Sequence, residues 1–295
     1  MSSALPYEVV VFDDRICELG EGPVWDEASG RAMWVDILNS RVLWRSVASG
    51  ETGVVDFPSH VAAVVPTEEG RWLACLVDGV YDTDLQDGNV ARVAEFSHHV
   101  TGGAVVQMRA NDAKVSPDGV LFCGTMPYTP DEHPKTGALY VLRDGVLRTV
   151  VDQVTISNGI GWSPDSSRIY YVDSPTGRID WAPYPGPDEV LDWQIFAHVN
   201  AELGLPDGLT VDADGCVWVA VWGAGRILKF LPDGQLDGHL VVPCSQTTSC
   251  AFIGDDLQTM MITTAKVGLA GTGGCGKTYA VRLPAPGLPQ PRVSL

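Results

Sequence analysis

The clearest indication of the fold runs from Asp212 to Trp222 and reads DADGCVWVAVW. It joins a short polar turn to an apolar, aromatic-rich run, which is typical of a hairpin turn leading into a buried strand. Five further stretches repeat this order: WDEASGRAMWVDI, PTEEGRWLACLV, SPDGVLFCGTM, SPDSSRIYYVDS and GDDLQTMMITTA. The six stretches begin at Trp25, Pro66, Ser116, Ser163, Asp212 and Gly254. Their spacing of about 40 to 50 residues lies in the range expected for propeller blades.

This repeat predicts an all-β protein: a six-bladed β-propeller with four antiparallel strands in each blade. A pair of β-sandwiches or a β-helix stays open as an alternative, but neither explains so long and even a period. No Pro/Gly-rich linker divides the chain, so we expect residues 1–295 to form one domain. The one stretch that suggests a short helical turn lies near residues 198–204.

Composition narrows the classes of partner. The chain carries 37 acidic and 19 basic residues, for a net charge of −18. Such a charge repels phosphate backbones and anionic lipid, so we expect neither a nucleic-acid nor a membrane partner. The N-terminus lacks the basic start and apolar run of a secretory signal, and we expect a cytoplasmic protein. The seven cysteines are scattered without a C-x-x-C pair, which predicts reduced, buried thiols.

Three polar motifs stand just ahead of repeated strand units. They are LGEGPVWD around Glu21, SNGIGWSPD around Asn158 and PDGLTVDADG around Asp207. Loops of different blades converge at the mouth of a propeller's axis, so side chains far apart in sequence meet there. Carboxylate and amide oxygens suit Ca²⁺, Mg²⁺, Mn²⁺ or Zn²⁺, and the adjacent glycines allow close backbone approach. Each motif alone is typical of a turn, but their recurrence at one phase of the repeat favours a metal site.

The sequence resembles the SMP-30/gluconolactonase/regucalcin-like family of sugar lactonases. The motifs that carry the resemblance follow one another in order: LGEGPVWD, RANDAKVSPDG, GTM, GALYVL, SNGIGWSPD, YYVDS, PDGLTVDADGCVWVAVWG and TTSCAFIGDD. They span nearly the whole chain. The resemblance implies a six-bladed propeller with one divalent metal at its axis.

Carried over by motif, the family's metal ligands fall on Glu21, Asn158 and Asp207. The resemblance further implies that Asp207 acts as the general base, and that Arg109 and Asn111 of RAND bind the substrate. A rigid guanidinium fork and an amide with one donor and one acceptor edge suit vicinal hydroxyls. The ion would act as a Lewis acid on the lactone carbonyl.

Three further residues are candidates for the pocket wall. Family members that act on hexonolactones often carry acidic residues shortly after GTM, where this chain has Pro127, Tyr128 and Thr129. Because a carboxylate is missing there, the sequence does not identify the sugar. Tyr128 becomes a candidate for the pocket wall. His60 precedes the VAAVV strand at a phase that faces the axis, and Trp222 beside Gly223 is a candidate for ring stacking.

Two other patterns are set aside. GTGGCGKT at residues 271–278 matches the phosphate-loop pattern, but it leads into TYAVRL, which predicts a strand where a helix is required. We therefore expect no nucleotide partner. The six histidines do not suggest a metal cluster, since His98 and His99 are adjacent and His133 lies in a Pro-rich loop.

The sequence thus predicts metal-dependent hydrolysis of a sugar lactone, a small-molecule substrate, to the aldonic acid. The cofactor is one divalent ion: Ca, Mn, Mg, Fe or Zn. Two alternatives stay open. One is a non-enzymatic calcium-binding protein, and the other is an ester or organophosphate hydrolase that uses the same site.

Overall fold

The computed structural model describes residues 3–97, 100–101, 104–271 and 273–294. Six four-stranded antiparallel sheets account for most of this part of the chain, and a two-stranded hairpin lies between the second and third. The inner strand of each sheet neighbours the inner strands of the sheets before and after it, and the last neighbours the first. The predicted six-bladed β-propeller is therefore confirmed.

The strands follow the blades in chain order. Blade 1 contains β2 (Gly20–Asp26), β3 (Arg31–Asp36), β4 (Arg41–Ser46) and β5 (Thr52–Asp56). Blade 2 contains β6 (Ala63–Pro66), β7 (Trp72–Cys75), β8 (Gly79–Thr83) and β9 (Ala91–Glu95). Blade 3 contains β12 (Met108–Val115), β13 (Leu121–Pro127), β14 (Gly137–Arg143) and β15 (Val146–Val154).

The second half repeats this arrangement. Blade 4 contains β16 (Ser157–Trp162), β17 (Arg168–Asp173), β18 (Arg178–Pro183) and β19 (Gln194–His198). Blade 5 contains β20 (Leu205–Val211), β21 (Val217–Trp222), β22 (Arg226–Phe230) and β23 (Leu236–Val241). Blade 6 contains β24 (Thr247–Ile253), β25 (Thr259–Thr264), β26 (Thr278–Arg282) and, as its outer strand, β1 (Val10–Asp13). The small hairpin is β10 (Val100–Thr101) with β11 (Ala104–Val105), and two 3₁₀ turns cover Ile37–Asn39 and Ser174–Thr176.

Strand β1 closes the ring. It pairs with β26, so the N-terminal strand completes the blade that the C-terminal strands begin. This pairing joins the two ends of the chain and removes an open seam between the first and last blades.

The six repeated turns of the sequence form the hairpins between the inner and second strands. In four of them the first polar residue of the turn accepts a backbone N–H from further along. The acceptors are Thr67, Ser116, Ser163 and Asp212, at 2.9 to 3.2 Å. Asp212 also accepts the indole N–H of Trp218 at 2.8 Å, which fixes the turn to the buried strand that follows.

The C-terminal tail crosses the mouth at which the inner strands end. Val293 donates its backbone N–H to Pro66 O of blade 2, and Gly287 donates to Leu257 O of blade 6. Beneath the tail lies a cavity of about 210 Å³, lined in part by Lys114, Trp162 and Gln290. The mouth at which the inner strands begin is the opposite one.

Two local expectations require comment. The residues near 198–204 form a turn, in which Leu203 N–H bonds Asn200 O, and so the expected helical turn is wrong. Gly204 follows directly, at φ +134°. Glycine alone adopts this backbone conformation freely, and it ends the turn before β20.

The strand predicted after the GTGGCGKT segment is confirmed as β26. Within the described ranges no helix is long and apolar enough to cross a membrane.

The expectation of seven reduced cysteines is wrong for one pair. Cys244 and Cys275 form a disulfide, with their Cα atoms 4.7 Å apart. Cys244 lies in the connection from blade 5 to blade 6, and Cys275 lies in the β25–β26 loop within GTGGCGKT. They are 31 residues apart in sequence, and pairing across a folded loop cannot be seen from spacing. The other five cysteines are free and buried, as predicted.

The disulfide predicts a thiol count. In denaturant without reductant, five of the seven cysteines should react with a thiol reagent, and all seven after reduction. Reduction should also lower the free energy of unfolding by about 3 to 4 kcal/mol, because the bond closes a long segment of the unfolded chain. Seven reactive thiols before reduction would contradict the pairing.

Candidate metal and substrate site

The five residues proposed to bind metal or substrate all lie on inner strands. Glu21 is on β2, Arg109 and Asn111 on β12, Asn158 on β16 and Asp207 on β20. Each stands in the first half of its strand, so all five lie towards the mouth opposite the C-terminal tail. All are buried, with 4 to 7% of each residue exposed.

A β-bulge interrupts the inner strand of five of the six blades. Three steps along β2 from Glu21 to Val24 match two steps along β3 from Val35 to Met33, which leaves one extra residue on the inner strand. The same irregularity recurs in β12 (110–113), β16 (157–160), β20 (206–209) and β24 (247–249). Bulges re-aim side chains and are common beside active sites.

The bulges explain which positions carry polar groups. Asn111, Asn158 and Asp207 are each the first residue inside the bulge of their strand, and Glu21 immediately precedes its own. The expected common phase therefore holds for Asn158 and Asp207, whereas Glu21 stands one residue earlier. Asn111 occupies the same position in its bulge, although no motif of the sequence indicated this.

Glycines beside these residues allow neighbouring inner strands to touch. A Cβ on Gly159 would lie 2.6 Å from Asp207 O, and one on Gly208 would lie 2.1 Å from Ser249 Oγ. Both separations are too short for a real carbon, so only glycine fits. The strands that carry Asn158 and Asp207, β16 and β20, are therefore direct neighbours.

Gly159→Ala should lower the free energy of unfolding by about 1 to 3 kcal/mol, because the new methyl meets a backbone oxygen that cannot rotate away. Chemical denaturation measures the change. Gly271→Ala is the matched control, since its Cβ would meet nothing within 4 Å. Equal stability of the two variants would contradict the packing described.

Hydrogen bonds connect the two candidate substrate residues, Arg109 and Asn111, to the candidate amide ligand, Asn158. Arg109 donates from Nη1 to Asn111 Oδ1 at 2.7 Å, and Asn111 Nδ2 donates to Asn158 Oδ1 at 3.0 Å. Asn158 Nδ2 donates to Ser174 Oγ at 2.8 Å. These bonds fix the orientation of the Asn158 amide, with its oxygen on the Asn111 side and a second lone pair left for a cation.

The two carboxylates are held in an unfavourable environment. Burial raises the pKa of Glu21 well above its ordinary value, and repulsion from Asp207 and Asp112 raises it further. Burial and Asp112 likewise raise the pKa of Asp207, while Arg109 lowers it. Buried like charges of this kind need a countercharge beyond one guanidinium.

The donor set fits a divalent cation. Among the described residues no three His, Cys, Asp or Glu side chains form a group that could hold a metal by themselves. Glu21, Asp207 and Asn158 supply two carboxylates and one oriented amide oxygen, which suit hard ions. A cation would also relieve the repulsion that raises both carboxyl pKa values.

Sequence reasoning missed two charged residues of the RANDAK segment. Asp112 is buried and accepts the Ala113 N–H at 2.7 Å, and burial raises its pKa to about 6. Lys114 reaches across the axis from blade 3 and donates from Nζ to Leu209 O of blade 5 at 3.0 Å. The signal was present, because charged residues within an otherwise buried strand are almost never fully buried unless they are paired.

The three wall candidates lie at different places on the same mouth. Tyr128 Oη and His60 Nδ1 are 2.9 Å apart, and Arg109 interacts electrostatically with both residues. Trp222 ends β21, where it pairs with Leu205 and bridges to Gln246. His98 and His99 lie outside the described residues.

The fold and the site together define the class of protein. It is a closed six-bladed β-propeller with buried carboxylates, amides and an arginine at one mouth of its axis. The model of the SMP-30/Gluconolactonase/LRE-like region matches residues 19–266, and the chain belongs to that family.

Relatives support the same placement. The chain is 34% identical to the pentonolactonase XacC of Haloferax volcanii over 270 residues, which cover 90% of this chain and 87% of that protein. It is 32% identical to the regucalcin of Oryctolagus cuniculus over 263 residues, or 86% and 85% of the two chains. The crystal structure of a calcium-binding regucalcin from Agrobacterium tumefaciens superimposes with a TM-score of 0.91 at 28% identity, and all of both chains is covered.

Proposed function

We propose that this protein hydrolyses a sugar lactone to its aldonic acid, with one divalent cation held by Glu21, Asn158 and Asp207. The observation that carries the proposal is the pair of buried carboxylates, Glu21 and Asp207, whose pKa values are raised by burial and by neighbouring carboxylates. A relative named pentonolactonase supports the reaction class, and a regucalcin structure described as a calcium-binding protein supports the cation.

The chain's own residues account for binding. Arg109 offers donors from a buried guanidinium whose orientation is fixed by its bonds to Ala110 O and Asn111 Oδ1. Together with Asn111 it would hold the hydroxyl or ring oxygens of a lactone beside Asp207. Burial of the site excludes bulk water and strengthens each of these contacts.

Asp207 would move the proton. As a carboxylate it accepts a proton from the attacking water while the new C–O bond forms at the lactone carbonyl. When the ring C–O bond breaks, the same proton passes to the ring oxygen, which leaves as the hydroxyl of the aldonic acid. A bound divalent cation would supply Lewis-acid stabilisation of the negative charge that develops on the carbonyl oxygen.

The experiment is proton release in weak buffer with xylono-, arabinono-, glucono- and galactonolactone and one phosphotriester. We expect hydrolysis of at least one lactone, with a pentonolactone as the first choice because of the relative XacC. Faster hydrolysis of the phosphotriester would favour the organophosphate alternative. Metal binding by calorimetry without turnover of any ester would favour a calcium-binding protein and overturn the proposal.

A further inference from the structure

His60 and Tyr128 form a side-chain pair at the site mouth. His60 stands just before the inner strand of blade 2, and Tyr128 follows β13 of blade 3. Tyr128 Oη and His60 Nδ1 are 2.9 Å apart, and their rings are 5.7 Å apart and tilted. The Tyr128 N–H donates to Gln107 O at 3.1 Å, which fixes the residue beside the strand that carries Arg109.

The pair retains one free donor and one free acceptor. Among the described residues no other hydrogen bond reaches Tyr128 Oη or His60 Nε2. If Tyr128 donates to Nδ1, the Nε2–H stays free to donate and the phenol oxygen to accept. In the other tautomer the phenol hydrogen is free and Nε2 accepts. Either arrangement complements an alcohol, which needs one of each.

The pair is also electrically neutral. Burial and the Arg109 charge lower the pKa of His60, so the imidazole carries no charge at neutral pH. Burial raises the pKa of Tyr128, so its phenol stays protonated. Arg109 interacts electrostatically with Tyr128 and also with Glu21 and Asp207, so one guanidinium links the neutral pair to the two carboxylates.

We propose that His60 and Tyr128 determine which lactones are accepted, by binding a ring hydroxyl of the sugar beside Arg109. The inference rests on the proposed function and deepens it. Arg109 can only donate, and Asn111 Oδ1 already accepts from Arg109, so a further acceptor is needed to bind a hydroxyl beside Arg109. A third carboxylate here would repel Glu21, Asp207 and the anionic product, whereas a phenol–imidazole pair accepts without adding charge.

The test compares substrates with and without ring hydroxyls. For Tyr128→Phe we expect kcat/KM for a pentono-1,4-lactone to fall about tenfold through KM, since one neutral hydrogen bond is lost. Its kcat/KM for γ-butyrolactone, which lacks ring hydroxyls, should change less than about twofold. His60→Ala should act similarly, and His60→Asn, which keeps an amide near the Nδ1 position, should recover part of the loss.

Tyr81→Phe is the matched control, because Tyr81 lies on β8, the third strand of blade 2, and donates its hydroxyl to Asp78. Calorimetric affinity for the aldonate product is a second readout and should weaken about tenfold in Tyr128→Phe. Equal losses on both lactones, or unchanged discrimination and product affinity, would overturn the inference alone. If the parent protein hydrolyses no lactone at all, the proposed function fails and the inference fails with it.

Discussion

Asp207→Asn should lower kcat/KM for the lactone by about a thousandfold or more. The change keeps the shape of the side chain but removes both the proton acceptor and one of two carboxylate ligands. It also removes one member of a buried like-charge set, since burial and Asp112 raise the pKa of Asp207. The metal-free variant should therefore unfold at a higher denaturant concentration than the metal-free parent. Initial rates and chemical denaturation on the same preparations measure both effects.

The opposite signs of these effects separate a functional role from a structural one. Asp255→Asn is the matched control, since Asp255 is an exposed residue of the β24–β25 hairpin. It should leave both activity and stability close to those of the parent. A variant at Asp207 that loses activity because it is less stable would contradict the site described.

The second large effect is a pH dependence of the metal-free protein. The free energy of unfolding should rise as the pH falls from 8 towards about 5, because three buried carboxyls have raised pKa values. They are Glu21, Asp112 and Asp207. Saturating metal should remove most of this dependence. At a hundredfold excess over Kd it should add about 2.7 kcal/mol at neutral pH.

The sign follows from proton binding. The folded state binds these protons at a higher pH than the unfolded state does, so between the two pKa values folding takes up protons and acid favours it. For Asp112, with its pKa raised from 3.8 to about 6, the destabilisation at neutral pH is about 3 kcal/mol. It is absent below the unfolded pKa and complete above the folded one.

Denaturation at several pH values, with and without metal, measures this effect. The net charge of −18 disfavours the compact state in the same direction, so a control is needed. The double variant Glu21→Gln/Asp207→Asn changes the net charge only slightly and should flatten the dependence clearly. A pH profile that the double variant leaves unchanged would show that general charge repulsion is the cause.

The fold was largely predictable because its repeat is local. Each unit joins a polar turn to an apolar strand, and both signals lie within about a dozen residues. Ser116 and Asp212 illustrate this. Each marks a turn in the sequence, and in the structure its side chain accepts a backbone N–H group of the same turn. The closing pair β1–β26 is different, because it joins residues almost the full length of the chain apart.

The site was predictable in part. Glu21, Asn158 and Asp207 could be singled out because a polar residue beside glycine precedes a blade strand in each case. The bulges that aim them could not, because a bulge depends on the pairing register of two strands. The contact of Lys114 with Leu209 O and the Tyr128–His60 bond join different blades, so no local pattern reveals them.

In the proposed function, one divalent ion held by Glu21, Asn158 and Asp207 controls lactone hydrolysis. The most direct test titrates metal into the stripped protein and follows both binding and the initial rate on the same preparation. We predict that activity is absent without metal, that rate and occupancy rise together, and that both saturate at about one ion per chain. Hydrolysis at full rate in the stripped protein, or a rate that does not follow occupancy, would contradict the account.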